Sequence, residues 1–359
     1  MNSTHKSAAG KLDAVLRGIP RVELAHTPTP LEYMPRLSAQ YQGVELYVKR
    51  DDCTGLGFGG NKVRQVEFYL GDALDKGCDT VLSTGAVQSN YMRTIAAAAG
   101  KLGLECHIQL EDRVHNRSAD YQHSGNRMLT GLFGATIHHY PDGEDEQGAD
   151  GAIHRIADAL KQKGGKPYVI PLAPTKQPKG ALGYVVAAQE LCQQFAQRKL
   201  AADLIVVGSG SGLTQAGLLF GLRLHGSRAA VLGACVRRDQ ALQFSRIQAH
   251  CRNLSAMLHL PAVVQDEDIW TDDSALAPGY GQMSALVKRA IHLAATCEGL
   301  LLDPVYSGKT LACAIKLIEA GSLSRFRKIV VIHTGGTPAI FAYRNEMARI
   351  MSDRLDQID

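Results

Sequence analysis

Short apolar runs of strand character alternate with amphipathic or alanine-rich helical stretches along most of this chain, and that rhythm restricts its fold more than any other feature. Glu45–Lys49, Thr80–Ser83, Cys106–Leu110, Thr136–His138 and Tyr168–Ile170 form a first series. A second follows the helical segment Leu182–Arg198 and contains Leu204–Val207, Ala230–Val236 and Ile329–Ile332. Parallel neighbours need a crossover of a dozen or more residues, which a helix supplies, so the alternation predicts parallel sheets. Two series predict two of them. The expected class is α/β: two open, twisted, mostly parallel sheets flanked by helices. Residues 1–65 and 178–359 would form a large domain and residues 66–177 a small one, with a cleft between them. Glycine- and proline-containing joints near Gly55 to Gly60 and Pro171 to Gly180 mark the crossings. The first dozen residues and Ser352 to Asp359 are polar and are expected to be disordered.

Composition excludes several classes of partner. The 39 Lys and Arg against 35 Asp and Glu give a formal charge of +4, but the basic residues are scattered and no run forms a nucleic-acid face. The 8 cysteines contain no C-x-x-C pair and several sit inside apolar patterns, as reduced, mostly buried thiols do. No apolar stretch reaches the length of a membrane span, and the N-terminus lacks a signal peptide's apolar core. A cytoplasmic protein with no nucleic-acid or membrane partner is expected. No metal is expected either: adjacent His138 and His139 would point to opposite faces of a strand, and no H-E-x-x-H or Cys/His cluster occurs.

The chemistry resides in glycine-rich segments. Gly59–Lys62 (GGNK) opens a helical stretch from Val63 to Lys76, so the Lys62 amine sits at an element terminus where it can point into a cleft, as a Schiff-base lysine must. Gln88-Ser89-Asn90 lies beyond the next strand. Farther on, Gly208–Gly212 (GSGSG) joins the strand Leu204–Val207 to the helical stretch Leu213–Arg223. There the helix dipole and unpaired amides face a ligand, and glycines let the backbone approach phosphate oxygens. These motifs point to pyridoxal phosphate, the alternative being a tight turn without a ligand. A dinucleotide site is disfavoured, because the spacing is G-x-G-x-G and the following strand ends in Arg237 and Arg238 without a ribose-binding acid. Gly308-Lys309-Thr310 looks like the end of a Walker loop, but Asp303 stands where its first glycine should be.

Lys49–Asp52 (KRDD), Gly59–Lys62 (GGNK), Gly85–Asn90 (GAVQSN), Gly180–Tyr184 (GALGY), Ala277–Gly281 (APGYG), Leu302–Lys309 (LDPVYSGK) and His333–Gly336 (HTGG) appear in order. Over about residues 28 to 345 the chain thereby resembles the D-cysteine desulfhydrase, cysteate sulfo-lyase and 1-aminocyclopropane-1-carboxylate deaminase group of fold-type-II pyridoxal-phosphate enzymes. The resemblance implies a tryptophan synthase β-like arrangement, a small amino-acid substrate and a homodimer. Lys62 would carry the cofactor as a Schiff base, Asn90 would hydrogen-bond its phenolic oxygen, and Thr334 would approach its pyridine nitrogen. The phosphate would rest on Gly210, Ser211, Gly212, Leu213 and Thr214. Ser89 would sit beside the substrate carboxylate or Cα, with Gln88, Asn90 and Lys176 also at the substrate, and Tyr280 and Tyr306 would influence proton transfer and cofactor stacking. Ser89 and Asn90 suit a helix cap as well, and one helix N-terminus can do both.

The activity so implied is α,β-elimination from a three-carbon sulfur-containing amino acid, releasing pyruvate, ammonia and sulfide. The alternatives are sulfite release from cysteate, cyclopropane opening, or a non-catalytic pyridoxal-phosphate-binding protein on the same fold. Ser307 follows Tyr306 where the deaminase has a glutamate, which argues against cyclopropane opening. Leu172–Lys179 (LAPTKQPK) replaces a glycine-glycine-serine-asparagine stretch of the resembling desulfhydrases and sulfo-lyases. Its Lys176 and Lys179 would either meet an anionic substrate group or remain solvated loop charges.

Overall fold

The computed structural model describes residues 3–114, 118–171 and 176–355. Its strands are β1 (Leu31–Tyr33), β2 (Glu45–Lys49), β3 (Thr80–Ala86), β4 (Glu105–Glu111), β5 (Thr136–Tyr140), β6 (Pro167–Val169), β7 (Leu204–Ser209), β8 (Ala230–Cys235), β9 (Ile269–Asp272) and β10 (Lys328–Ile332). They form a 6-stranded sheet ordered β1-β2-β10-β7-β8-β9 and a 4-stranded sheet ordered β5-β4-β3-β6. Among the pairings of these ten strands only β1 with β2 is antiparallel. Each strand-like run of the sequence lies in one of these strands, though β6 stops before Ile170 and β8 before Val236. The four-stranded sheet comes from one uninterrupted stretch, whereas the larger sheet takes strands from both sides of it.

Helices cover both faces of the sheets because the strands are apolar on both. Leu204, Val206, Ile329 and Val331 pack into one cluster, while Ile205, Val207, Val330 and Ile332 pack into another across the sheet. A fully buried aliphatic side chain contributes about 1.5–3 kcal/mol, so these alternating residues hold the large sheet between its helices. In the helix Asn61–Asp75, Val63, Val66, Leu70 and Ala73 recur at intervals of three or four and bury against the small-sheet core. This helix runs through the boundary expected between residues 65 and 66.

Its other face is tied to the large sheet by a buried ion cluster. Arg64 donates to Asp51 at 2.9 Å and to Glu190 at 2.9 Å, Lys49 also pairs with Glu190, and Tyr184 donates to Asp51. Burial alone would raise the Asp51 carboxyl, but Arg64 and Lys49 overcome that and hold it below the usual range. Removing one member would leave a buried charge unpaired, so the cluster fixes the register of the helix that carries Lys62.

One expectation is corrected. From its third residue the N-terminal segment is ordered: Ser3–Arg17 is a helix, and Leu12 is fully buried beside Phe68, Leu182 and Phe220. At the other end, Ser352 lies in the helix Arg344–Leu355, and residues 356–359 fall outside the described residues. The cysteines are unbridged. Among the described residues no cluster of His, Cys, Asp and Glu could hold a metal, and no helix is long and apolar enough to cross a membrane.

Candidate active site

A cleft opens where the C-terminal ends of β3, β7 and β10 meet, the place where parallel sheets present ligands. Lys62, Ser89, Asn90, Gly210, Ser211, Gly212, Thr214, Tyr280, Tyr306 and Thr334 all line it. Leu213 sits just behind, at the start of its helix. Gln88 does not line the cleft: its amide donates to the Tyr121 and Ser124 carbonyls at 2.6 and 3.1 Å and accepts from Asn126 N at 2.9 Å, tying neighbouring segments together. Lys176 is exposed and away from the lining, Lys179 is ion-paired with Asp72, and residues 172–175 of that loop lie outside the described residues.

Gly60, at φ 113°, delivers the chain into the helix Asn61–Asp75. That φ is open to glycine, and a Cβ there would meet the Thr334 carbonyl at 3.0 Å. Lys62 therefore leaves the first turn facing the cleft. Its amine has Gln65 Oε1 at 3.4 Å and the Tyr91 ring at 5.5 Å, and no carboxylate among the described residues pairs with it. Burial lowers its pKa to about 8, so a neutral, nucleophilic amine is accessible near physiological pH.

Opposite lies the glycine turn. The first-turn amides of the helix Leu213–Leu224 have no intrahelical acceptors. A Cβ at Gly212 (φ +90°) would meet His250 Cδ2 at 3.0 Å, and one at Gly210 would meet Val236 Cγ2 at 3.3 Å, so side chains are excluded and the backbone is left open. Thr214 Oγ1 accepts from Asn61 Nδ2 at 2.9 Å and Gln65 Nε2 at 2.8 Å, which leaves its hydroxyl proton to be donated elsewhere. Arg246 donates through Nε to the Ser211 carbonyl at 3.0 Å, also lines the cleft, and has no carboxylate partner among the described residues. Burial, then neighbouring arginines, lower its pKa to about 10. A dianionic phosphate fits this cradle of amides, a hydroxyl and a guanidinium.

The remaining wall holds polar groups with assigned ends. Ser89 caps the helix Asn90–Leu102, accepting from Tyr91 N and Met92 N at 3.2 and 3.3 Å. Asn90 Oδ1 accepts from Arg93 Nη1 and Asn126 Nδ2, so its NH₂ end is the one open to a ligand oxygen. The Tyr280 and Tyr306 hydroxyls are 3.0 Å apart with their rings edge to face. Burial, then Tyr280, raises the Tyr306 pKa well above the ordinary phenol value, and burial raises that of Tyr280 too. Ser307 turns away from the cleft, donating to Asp303 Oδ1 at 2.6 Å.

The model of the family described as "Pyridoxal-phosphate dependent enzyme" matches residues 22–335. The chain belongs to that family. Within this pyridoxal-phosphate family it is 42% identical over 331 residues to a D-cysteine desulfhydrase of Salmonella choleraesuis (strain SC-B67), covering 91% of this chain and 97% of that one. A D-cysteine desulfhydrase of Salmonella newport (strain SL254) is 41% identical over the same length. A crystal structure described as an ACC deaminase homologue superposes with a TM-score of 0.84 at 36% identity, covering 95% of this chain and 99% of the other. O-ureido-L-serine synthase, at 17% identity and a TM-score of 0.64 over 92% and 94% of the two chains, shares the fold.

Four arginines of the cleft lining were not read from the sequence as site residues: Arg113, Arg237, Arg238 and Arg246 accompany one glutamate, Glu146. Arg237 and Arg238 both pair with Glu146, and Arg113 pairs with Glu111 at 2.6 Å. Arg237, Arg238 and Arg246 lie close together in the chain, whereas Arg113 and Glu146 come from the stretch that forms the smaller sheet. The one available signal was the Arg237-Arg238 doublet at the end of a strand, which counted only against a dinucleotide.

Proposed function

We propose that this enzyme catalyses α,β-elimination from D-cysteine or a close three-carbon analogue, releasing sulfide, ammonia and pyruvate. The observation that carries the reading is the Lys62 amine, without a carboxylate partner among the described residues and lowered to about 8, in one cleft with the glycine turn. Residues 210–214 and Arg246 would hold the cofactor phosphate, Asn90 its phenolic oxygen and Thr334 its ring nitrogen. Bound pyridoxal phosphate supplies an electron sink for the charge left at Cα. With the cofactor held there, Lys62 Nζ would accept the Cα proton while the Cα–Cβ double bond forms and the Cβ–S bond breaks with its electron pair leaving on sulfur. The released enamine takes up water and yields pyruvate and ammonia. Ser89 orients the substrate carboxylate. The Tyr280–Tyr306 pair stays protonated and serves as proton donor near Cα and Cβ.

A second reading, sulfite release from cysteate, is favoured by the four arginines of the lining, which outnumber the two carboxylates, Glu146 and Glu111, that pair with three of them. Oxo-acid formation tests both readings, read as pyruvate from D- and L-cysteine, cysteate and β-chloroalanine and as 2-oxobutyrate from the cyclopropane amino acid: the first requires D-cysteine to have the highest kcat/KM, the second cysteate. No oxo acid from any of them would sink both. The homodimer implied by the family resemblance belongs to the same proposal, and sedimentation velocity reads it directly.

A further inference from the structure

Lys309 is fully buried, the third residue of the helix Ser307–Glu319, and no carboxylate among the described residues pairs with it. Both its placement and its burial are unfavourable. A cation in a first helical turn opposes the helix dipole, and a buried ammonium needs partners that replace water. Its partners are two backbone carbonyls, Leu276 O at 2.6 Å and Gly279 O at 2.7 Å. Burial lowers its pKa to about 8.

Those carbonyls bracket Ala277 and Pro278, and Tyr280 follows directly. The same helical turn holds the other phenol. Thr310 Oγ1 donates to the Tyr306 carbonyl at 2.8 Å, and Asp303 Oδ2 accepts from Tyr306 N at 2.9 Å. Beyond Tyr280, Gly281 (φ +68°) lies so close to Val114 and Tyr343 that a Cβ would meet Cγ2 of the first at 2.6 Å and the hydroxyl of the second at 2.8 Å. The loop is thus held from both sides of Tyr280, by Lys309 before it and by packing after it.

We propose that Lys309 is a positioning residue that clamps the Leu276–Gly279 loop onto the helix carrying Tyr306, and so sets the 3.0 Å contact between the two phenols. The Gly308-Lys309-Thr310 tripeptide, unusable as a nucleotide loop, is then the part of the helix that aligns both tyrosines. The proposal rests on the reading that this pair moves a proton. Lys309→Met keeps most of the stem's volume and removes the charge and donors.

The test is a double-mutant cycle on the holoenzyme, with folding checked by circular dichroism and cofactor content by visible absorbance. Lys309→Met is expected to keep the cofactor and a KM within about twofold of wild type while kcat falls about 10-fold or more. Lys309→Arg recovers part of that loss. In a Tyr280→Phe background, Lys309→Met should slow kcat by no more than about twofold further, because the group it positions is already gone. Wild-type kcat in Lys309→Met, or losses that multiply in the double variant, would overturn the proposal while leaving the elimination reading intact. Wild-type kcat in Tyr280→Phe would refute the proton-transfer reading and the proposal with it. If Lys309→Met does not fold, Lys309→Leu, which likewise has no donor, is read by the same cycle and the same criteria.

Discussion

Asn61 Nδ2 donates to Thr214 Oγ1 at 2.9 Å, across 153 residues of sequence. The bond joins the residue before Lys62 to the first turn of the helix Leu213–Leu224, so it sets the amine and the glycine turn relative to each other. Gln65 reinforces it from the next turn, donating to the same hydroxyl at 2.8 Å.

Lys62→Ala is expected to abolish the yellow absorbance of lysine-bound cofactor and to lower kcat for pyruvate release by at least about 10²–10⁴-fold, the usual contribution of a positioned base. Spectra and turnover of the purified variant check this. Retention of the visible band would make another lysine the anchor.

Uptake of cofactor by the apoenzyme should speed up with pH and level off above about 8, where burial has already made the Lys62 amine neutral. The sign follows from the depressed pKa: the reactive neutral form dominates above it. An ordinary lysine would continue gaining about tenfold per pH unit through pH 9. Stopped-flow absorbance between pH 6 and pH 10 separates the two.

Tyr280→Phe and Tyr306→Phe should each keep the cofactor and lower kcat by about 10²–10⁴-fold. Because their hydroxyls form one hydrogen-bonded pair, the double variant should be slower than either single by less than the product of the two losses. Unchanged turnover in both singles would reduce them to packing residues.

Gly212→Ala places a side chain at φ +90° against His250. Left-handed backbone costs a non-glycine residue about 1–2 kcal/mol, so the apoenzyme should melt earlier. Affinity for pyridoxal phosphate should fall more than affinity for unphosphorylated pyridoxal, and equal losses would separate Gly212 from the phosphate.

Lys176→Ala should leave the ratio of kcat/KM for cysteate and D-cysteine unchanged, since Lys176 is exposed and away from the cleft lining. Arg237→Gln should lower that ratio if the arginines receive an anionic Cβ group. An unchanged ratio in Arg237→Gln would return them to holding Glu146 and the cofactor phosphate.

The strands of both sheets were legible because β-branched and leucine-rich runs bounded by glycine need no tertiary information. β1 and β9 were not, being 3 and 4 residues long at the sheet edges, with Glu32 and Asp272 interrupting their apolar character. The N-terminal helix was missed because its polar composition outweighs the buried Leu12. In the site, Lys62 and the glycine turn announce themselves by local pattern. Arg113, Glu146 and Arg246 have no such pattern, since their meaning arises only where separate elements converge. Lys309 lay in a tripeptide whose sequence suggested a phosphate loop, while its contacts are to a neighbouring loop.

Because β3 to β6 arise from one unbroken stretch, a single cassette of the chain supplies an entire wall of the cleft, including Ser89, Asn90, Tyr91, Arg113 and Glu146. Exchanging that cassette with a relative would transplant the wall as a block, while Lys62, the glycine turn and both tyrosines stayed with the recipient. Recombination at two points in the chain can therefore reshape what faces the reactive amine without dismantling the machinery that activates it.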